Sequence, residues 1–338
     1  MCYQRSYYSG SHSALELLTF LKEKNGYVSG QEIADVMGVS RNAVWKQIEN
    51  LRREGIEVEA VSGKGYRVTG EGDAFGERSI KAALHTKWLG KELIFFKETD
   101  STNDELKRRS EKGAKEGLVA VADRQTKGKG RRGRGWETPA GVNIAISYLL
   151  RPLFPPDTAP MMTLLMAMAA QKGIKEVSGL EALIKWPNDI VINGKKLVGI
   201  LTEMTAEPDF IHEVIIGTGI NVNGRSFPDS IRDRATSMYL EGGRVYSRAE
   251  VAAAVTDAFE GYYEIFCRKG DMSELRSIYD RSCVNVDAGV RVLDPKGEYD
   301  AVAHGIDDRG RLRITREDGT REAVFAGEVS VRGVYGYV

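Results

Sequence analysis

Residues Leu118–Leu149 have the sequence LVAVADRQTKGKGRRGRGWETPAGVNIAISYL, and this stretch decides how the central part of the chain folds. The apolar runs Leu118–Ala122 and Val142–Leu149 predict two buried strands. Between them, Arg124–Arg134, which we call the basic loop, carries six positive charges and three glycines but no acid. Because strands anchor both of its ends, we interpret the loop as a binding device for anionic groups. A solvated charge run is the alternative interpretation.

The basic loop also matches the G-x-G-x-x-G pattern of dinucleotide-binding folds through Gly128, Gly130 and Gly133. In those folds a helix begins directly after the glycines, so that its N-terminus faces the pyrophosphate. Here Pro139 and Gly141 would break such a helix. The sequence therefore argues against a dinucleotide-binding turn.

Length and composition limit the class of protein. A chain of 338 residues, 42% hydrophobic and 28% charged, is long enough for two or three globular domains. Its 48 basic and 48 acidic residues cancel, so any site for anions must be local. The longest apolar run, Met161–Ala170, has about half of the roughly 20 residues that span a bilayer. It predicts a buried helix instead, and we expect no membrane partner.

The cysteines and the N-terminal segment bear on the compartment. Cys2, Cys267 and Cys283 are odd in number and have no C-x-x-C spacing, which argues against a disulfide framework or a zinc site. Met1–Ser13 lacks the apolar core of a signal peptide. We therefore expect a cytoplasmic protein.

Residues 13–69 have the pattern of a winged helix-turn-helix domain. Ser40 is a candidate cap for the second helix of the motif. On that helix, Val44, Ile48 and Leu51 follow the i, i+4, i+7 spacing of a buried face. Two short strands around a glycine-containing turn come next and predict the wing.

In such a domain the second helix enters the major groove of DNA and the wing reaches phosphates. The predicted DNA-binding residues are Ser40, Arg41, Asn42, Trp45, Lys46, Gln47, Lys64 and Arg67. Residues 14–70 contain eight basic and eight acidic side chains, so a monomer lacks the positive surplus of strong DNA binders. A dimer would double the contacts, and a protein-interaction role for the domain stays open.

A linker and two further domains follow. Glycine-rich Thr69–Gly76 is interpreted as a linker. Residues 77–270 alternate strands and helices and predict a mixed α/β domain. Residues 282–338 contain five short strands, separated by turn sequences such as Asp307-Asp308-Arg309-Gly310, and predict a small β-barrel. The expected fold class is therefore α+β with several domains.

Four further motifs accompany the basic loop. They are Asp100-Ser101-Thr102-Asn103, Lys185-Trp186-Pro187-Asn188-Asp189, Lys195-Lys196-Leu197-Val198-Gly199-Ile200-Leu201 and Gly217-Thr218-Gly219-Ile220-Asn221-Val222-Asn223. The first offers hydroxyls and an amide, although Ser101 or Thr102 could simply cap a helix. The second places a cation and an acid between apolar runs, where both need partners. The third puts Lys196 at the start of a strand on the edge of the sheet, and the fourth permits close backbone approach.

In this order and spacing, the five motifs resemble those of the biotin protein ligase family, and the likeness extends over nearly the whole chain. The bifunctional members of that family also repress the biotin operon. The resemblance implies a central ligase domain of the class II synthetase-like, lipoate ligase-like fold and an SH3-like β-barrel at the C-terminus. It implies that biotin and ATP, with Mg²⁺, give biotinyl-5'-AMP, and that biotin then passes to a lysine of a biotin carboxyl carrier domain.

The resemblance also implies partners and site residues. With biotinyl-5'-AMP as corepressor, a homodimer would bind operator DNA. The implied biotin-binding residues are Ser101, Thr102, Asn103, Gln125, Lys129, Gly130, Arg131, Lys196 and Gly199. The implied nucleotide-binding residues are Arg131, Arg134, Trp136, Asn221 and Asp189, the last with a possible magnesium ion. The implied catalytic residues are Arg131, Lys196 and Lys185. Lys129 stands where many relatives have arginine, so its charge is kept but the bidentate fork is lost.

These residue types suit the implied chemistry. In the first step the substrate carboxylate is itself the nucleophile and approaches an anionic phosphate, so the enzyme must neutralise charge and align groups. A charged loop with three glycines would close over the adenylate and exclude water. Two alternatives stay open: a catalytically inactive, biotin-sensing transcription regulator and, less favoured, a lipoate ligase.

Overall fold

The computed structural model describes residues 14–24, 26–53, 56–70, 73–294, 297–326 and 330–333. The N-terminal segment Met1–Ser13 and the centre of the expected turn Asp294–Gly297 lie outside the described residues. The chain divides into two compact units, with the boundary between Ala82 and Ala83. Within the ranges given above, no helix has both the length and the apolar character needed to cross a membrane.

The first unit contains the predicted helix-turn-helix. Its elements are α1 Ala14–Lys24, α2 Gly30–Met37, α3 Arg41–Arg53, β1 Glu57–Val61, β2 Gly65–Gly70 and α4 Glu77–Ala83. Ser29 Oγ accepts a hydrogen bond from Glu32 N at 3.1 Å and caps α2. Ser40 Oγ accepts one from Ala43 N at 3.2 Å and caps α3. The start of each helix is thus set by a local hydrogen bond.

The core of the first unit joins α3 to the wing. Val44, Ile48 and Leu51 on α3 are all buried, as their spacing predicts. Strands β1 and β2 are antiparallel and form the wing. Tyr66 on β2 exchanges two backbone hydrogen bonds with Val28, each 2.8 Å long, so the segment before α2 is attached to the wing.

The segment expected to be a linker, Thr69–Gly76, is partly built into the first unit. Strand β2 continues to Gly70. Ala74 is buried in the hydrophobic core of this unit. The structure differs from the expected linker because a short glycine-rich sequence can extend a strand when its partner strand is already in place.

A seven-stranded sheet lies at the centre of the second unit, in the strand order β3-β4-β5-β9-β8-β7-β6. Its strands are β3 Leu93–Phe96, β4 Val119–Ala122, β5 Asn143–Leu150, β6 Leu183–Lys185, β7 Asp189–Ile192, β8 Lys195–Glu207 and β9 Phe210–Asn221. Strands β3 and β4 are parallel and the other neighbours are antiparallel, so the sheet is mixed. The strands predicted on either side of the basic loop are β4 and β5, both buried along their whole length.

Helices α5 Thr102–Ser110, α6 Ala159–Ser178 and α8 Arg248–Cys267 cover both faces of this sheet. The second unit also contains the short helices α7 Met238–Gly242 and α9 Arg276–Ser282. Successive side chains of a strand point to opposite faces. On β5, Leu149 packs in one cluster with Leu106 of α5, whereas the ring of Tyr148 lies 5.5 Å from that of Phe259 on α8. Helix α6, which contains the longest apolar run of the sequence, packs against α8 and is buried as predicted.

The expectation that Lys196 lies at the edge of the sheet is wrong. Strand β8, which begins at Lys195, lies between β9 and β7 and is therefore an interior strand. The reason is that β6 and β7 form a hairpin around Trp186–Asn188 and extend the sheet beyond β8. Lys196 N donates a hydrogen bond to Arg234 O at 2.8 Å, which attaches the start of β8 to the chain after β9.

A second, antiparallel sheet forms the C-terminal part of the same unit. Its strands are β10 Ala288–Asp294, β11 Gly297–Ile306, β12 Leu312–Arg316, β13 Arg321–Val324 and β14 Ser330–Gly333, in the order β13-β12-β11-β10-β14. They agree closely with the five predicted strands. Pairing of β13 with β14, which would close a barrel, does not occur within the described residues. Trp186 Nε1 donates to Gly310 O at 3.1 Å and links the two sheets.

Candidate active site

A small cavity lies between the basic loop, α5 and strands β5, β8 and β9. The residues that line it are Ser101, Thr102, Asn103, Gln125, Lys129, Gly130, Arg131, Trp136, Ala145, Asn188, Lys196, Gly199, Ile200, Leu201, Gly217, Thr218 and Gly219. Every residue with an implied role in biotin binding is among them. The cavity volume is about 50 Å³.

A polar network lies behind the α5 wall of the cavity. Ser147 on β5 is fully buried, and its Oγ lies 2.7 Å from Thr102 Oγ1 and donates to Asn103 Oδ1 at 2.6 Å. Asn103 Nδ2 donates to Glu203 Oε2 at 2.6 Å. These bonds fix the orientation of two predicted site residues. The sequence prediction missed Ser147, whose signal was a hydroxyl inside an otherwise apolar strand.

Two predicted residues connect α5 to the basic loop. Ser101 occupies the N-cap position of α5, but its side chain makes no capping hydrogen bond, so capping does not account for it. Gln125 Oε1 accepts a hydrogen bond from Thr102 N at 2.8 Å, and Gln125 Nε2 donates to Thr138 Oγ1 at 3.3 Å. Gln125 therefore ties the start of α5 to the beginning of the basic loop and to the chain that follows the loop.

Two lysines of the cavity wall are paired with carboxylates. Lys129 Nζ lies 2.5 Å from Asp104 Oδ1, and hydrogen bonding to this carboxylate raises the pKa of Lys129. Lys196 Nζ lies 2.6 Å from Asp189 Oδ1 and 5.4 Å from the centre of the Trp136 ring. Both ammonium groups are thus held at the cavity wall, where anionic groups of a ligand could exchange with the carboxylates.

The guanidinium of Arg131 connects the basic loop to two distant segments. Nη1 donates to Asn188 Oδ1 at 2.9 Å, and Nη2 donates to Ala326 O at 2.5 Å. Burial lowers the pKa of Arg131, and the nearby negative charge of Asp189 opposes this effect. Asn188, in the turn between β6 and β7, was part of a quoted motif but was not predicted as a site residue.

Three glycines of β8 and β9 shape the cavity. A Cβ atom at Gly217 would lie 2.3 Å from Asn103 Oδ1, and one at Gly219 would lie 2.2 Å from Trp136 Nε1. At Gly199 it would lie 2.8 Å from the Trp136 ring. Trp136 Nε1 is buried and has no hydrogen-bond partner among the described residues. The indole therefore rests on bare backbone and offers an unused donor.

Asn221, an implied adenylate contact, does not line the cavity. Its Oδ1 accepts a hydrogen bond from Asn143 Nδ2, and its Nδ2 donates to Thr236 O, each at 3.1 Å. Both ends of the buried amide are engaged in holding β5 and β9 to the chain that follows. The geometry thus gives Asn221 a structural role and does not support the implied contact.

Lys185, Arg134 and Asp189 also lie outside the cavity lining. Lys185 is only 4% exposed, and its backbone lies opposite that of Asp189 in the β6–β7 hairpin. Arg134 is exposed; its O accepts a backbone hydrogen bond from Gly130 N at 2.7 Å, and its N donates one to Arg131 O at 3.4 Å. Asp189 faces Lys196. Their implied catalytic and nucleotide-binding roles are therefore not reflected in direct cavity contacts.

The surroundings of Asp189 do not fit a magnesium site held by the protein. Among the described residues, no group of three or more histidine, cysteine, aspartate and glutamate side chains could hold a metal ion. Mg²⁺ is usually bound by one or two carboxylates together with substrate phosphates and water. At Asp189 such an ion would have to replace the Lys196 ammonium group.

The first unit exposes most of the predicted DNA-binding set. Its exposed members are Ser40, Arg41, Asn42, Trp45, Lys46 and Lys64, with Trp45 55% exposed. Ser40 is engaged as the cap of α3, and Gln47 is half-buried. Arg67 pairs with Glu59 at 2.9 Å and stacks on Tyr27 at 4.6 Å. A phosphate contact by Arg67 would therefore compete with Glu59.

Comparisons with known proteins agree with this architecture. Residues 95–221 match the biotin/lipoate A/B protein ligase family, residues 14–67 match an HTH domain, and residues 289–332 match the biotin protein ligase C terminal domain. The chain is 39% identical over 314 residues to the bifunctional ligase/repressor BirA of Bacillus subtilis (strain 168), covering 92% of this chain and 96% of that protein.

Two more distant comparisons extend this result. BirA of Escherichia coli (strain K12) is 28% identical over 319 residues, covering 94% of this chain and 97% of that protein. The solved structure of biotin protein ligase from Aquifex aeolicus in complex with biotin and ATP has 31% identity and a TM-score of 0.63, covering 72% of this chain and 99% of that chain. The chain belongs to the biotin/lipoate A/B protein ligase family, which confirms the resemblance of the five motifs.

Proposed function

We propose that the protein is an ATP-dependent biotin protein ligase that also represses transcription. The observation that carries this proposal is the convergence of every implied biotin-binding residue on one cavity, with Arg131 and Lys196 in its wall. The likeness to bifunctional ligase/repressor proteins, and to a ligase solved with biotin and ATP, supports it.

In the first step, a carboxylate oxygen of biotin attacks the α-phosphorus of ATP, and the bond to pyrophosphate breaks as the adenylate forms. Both reactants are anions, so positive charge must offset their repulsion. Lys196 Nζ lies 3.1 Å from the place of a Cβ at Gly199, directly beside the bare backbone of β8. We expect this ammonium group to leave Asp189 for the oxygens of the reacting groups.

The opposite end of the cavity suits a neutral head group with several hydrogen-bonding atoms. Ser101, Thr102 and Gln125 supply hydroxyl and amide groups there. Because Thr102 and Asn103 are already oriented by Ser147, little ordering remains to be done on binding. The ureido ring of biotin, a rigid donor and acceptor, matches this surface.

In the second step, the amine of an acceptor lysine attacks the acyl carbon, AMP leaves, and the nitrogen loses a proton as the amide forms. The adenylate must be protected from water until the acceptor arrives. The basic loop supplies Lys129, Gly130 and Arg131 to the cavity wall and is suited to act as the lid.

The test is incubation of the protein with biotin, ATP, Mg²⁺ and a biotin carboxyl carrier domain, read by avidin blot. We expect label on the parent acceptor and none on an acceptor whose target lysine is changed to arginine. Biotin-dependent ATP–pyrophosphate exchange tests the first step alone. Absence of both signals would refute the ligase and favour an inactive biotin-sensing regulator, and exchange driven by lipoate but not biotin would indicate a lipoate ligase.

The repressor function would depend on operator DNA, a homodimer and biotinyl-5'-AMP as corepressor. Ordering of the basic loop by the adenylate is proposed to favour dimerisation through the differential affinity of the ligand for the two loop states. Analytical ultracentrifugation should show a shift towards the dimer when the adenylate is added. Identical distributions with and without it would contradict the coupling. The cytoplasmic location remains a prediction.

A further inference from the structure

A buried arginine outside the cavity holds together the two strand ends between which the basic loop lies. Arg248, the first residue of α8, is only 4% exposed. Its Nη1 donates to Asp123 Oδ1 at 2.6 Å and to Asn143 O at 3.1 Å. Asp123 directly precedes the loop, and Asn143 begins β5 after it. One guanidinium thus bonds the chain where it leaves the sheet and where it returns.

Asp123 adds a second link across the base of the loop. Its Oδ1 also accepts a hydrogen bond from Gly141 N at 2.9 Å. Gly141 has a φ of 79°, a backbone conformation in which other residues are strained. On the far side, Asn143 Oδ1 accepts a hydrogen bond from Val222 N at 3.2 Å. We call Arg248 and Asp123 the loop clamp, and it is attached through Asn143 to the chain following β9.

We propose that Arg248 is a positioning residue that acts through Asp123 to hold the basic loop over the cavity and so prolongs the retention of biotinyl-5'-AMP. This inference rests on the proposed ligase function. Neither residue of the clamp lines the cavity, whereas Gln125 and Trp136, on the chain between its ends, do. A shift of the loop base moves both, and a displacement of about 1 Å near reacting groups can cost ~100-fold in rate.

A purely structural ion pair is the competing explanation, and the chain offers a matched control for it. Arg151 follows the opposite end of β5 and donates to Ser110 Oγ at 2.8 Å, Ala114 O at 3.0 Å and His212 O at 2.7 Å. None of these acceptors belongs to the basic loop. Loss of Arg151 therefore reports on the stability of the sheet end without touching the loop base.

The test variant is the full chain with Arg248→Met and Asp123→Asn. It removes both charges together, because a buried carboxylate left alone would be strongly destabilising, and it keeps an acceptor for Gly141 N. We expect it to release biotinyl-5'-AMP about tenfold faster than the parent chain, which is within the range of measured couplings between contacting residues. Arg151→Met should lower the unfolding temperature without this acceleration.

A second measurement needs no catalytic activity. Trypsin cuts after lysine and arginine, so cleavage within Arg124–Arg134, followed by mass spectrometry, reports how firmly the loop is held. We expect faster cleavage there in the double variant than in Arg151→Met. Arg248→Lys alone, which keeps a positive charge beside Asp123, should change both readouts in the same direction but less, which keeps the proposal testable if the double variant does not fold.

Arg248→Lys keeps the positive charge without the planar fork. We expect this variant to release biotinyl-5'-AMP more slowly than the double variant but faster than the parent chain. Release and loop cleavage no faster in the double variant than in Arg151→Met would overturn the clamp. If the parent chain forms no adenylate, the proposed ligase function is refuted. Faster loop cleavage in the double variant would then still support the mechanical role of the clamp.

Discussion

Single residues decide what the cavity can accept, and Gly217 and Gly219 are the clearest case. The two glycines lie on the same strand, β9, with their missing side chains on the same face. Yet the space beside Gly217 is filled by Asn103 and the space beside Gly219 by Trp136. The head-group end and the indole end of the cavity can therefore be disturbed separately.

Gly217→Ala should raise the KM for biotin, and Gly219→Ala should raise the KM for ATP. In each variant the new methyl group would lie well inside contact distance and displace a neighbouring group, and such overpacking usually costs about 1–3 kcal/mol. A change of about tenfold or more in biotin-dependent ATP–pyrophosphate exchange is expected.

Gly224→Ala is the matched control, since its Cβ would meet only Asn143 Oδ1, at 3.8 Å. We expect both Michaelis constants of this variant to stay close to those of the parent protein. If the Gly217 and the Gly219 variant each changed the KM for biotin and the KM for ATP by the same factor, the two ends of the cavity would not be separate.

Arg131 and Lys196 should have separable effects. Arg131 reaches Asn188 Oδ1 and Ala326 O from two separate nitrogens, and lysine at position 131 lacks this planar fork. Arg131→Lys should therefore still form the adenylate but release it early, seen on an avidin blot as labelling of bystander proteins. Lys196→Ala should abolish pyrophosphate exchange itself. Exchange that survives in Lys196→Ala would count against its assigned role.

At the scale of elements, helix α3 carries the expected contact with DNA. Lys46 is exposed on it, next to Trp45. Lys46→Ala should weaken operator binding and reduce the slope of log K against log salt concentration by about 2 for the proposed homodimer, because each protomer loses one phosphate contact. Filter binding or fluorescence anisotropy across a salt series would measure this.

The control for that experiment is Lys24→Ala. Lys24 is also exposed in the first unit, but it lies on α1 and pairs with Glu32 at 3.1 Å. Its removal should leave the salt slope unchanged. Equal slopes for the parent and the Lys46 variant would show that α3 does not contact phosphates through this residue.

Elements with local signals were predicted well. Ser40 caps the helix expected of it, and β4 and β5 flank the basic loop as the apolar runs indicate. The interior place of Lys196 was not predicted, because it depends on where the β6–β7 hairpin adds to the sheet. Strand order is a long-range property that periodicity along one strand does not contain.

At the scale of the whole molecule, the two compact units should unfold separately. Calorimetry should show two unfolding transitions. Biotin with ATP should raise the unfolding temperature of residues 83–338 only, because ligands stabilise the unit that binds them. Ile48→Ala should lower the unfolding temperature of the first unit, and Leu149→Ala that of the second. Each substitution removes a fully buried side chain at a cost of about 2–5 kcal/mol. A single transition lowered by both variants would contradict this division.

The sequence by itself determined the helix starts, the strands and the basic loop, because caps, alternation and charge runs are local. Only the tertiary structure decided which of the motif residues face the cavity. It pairs Lys196 with Asp189, turns Asn221 into a support for β5, and brings Ser147 behind Asn103. The physical reason is that these contacts join residues far apart in the chain, and the pairing and packing of the strands alone set their distances.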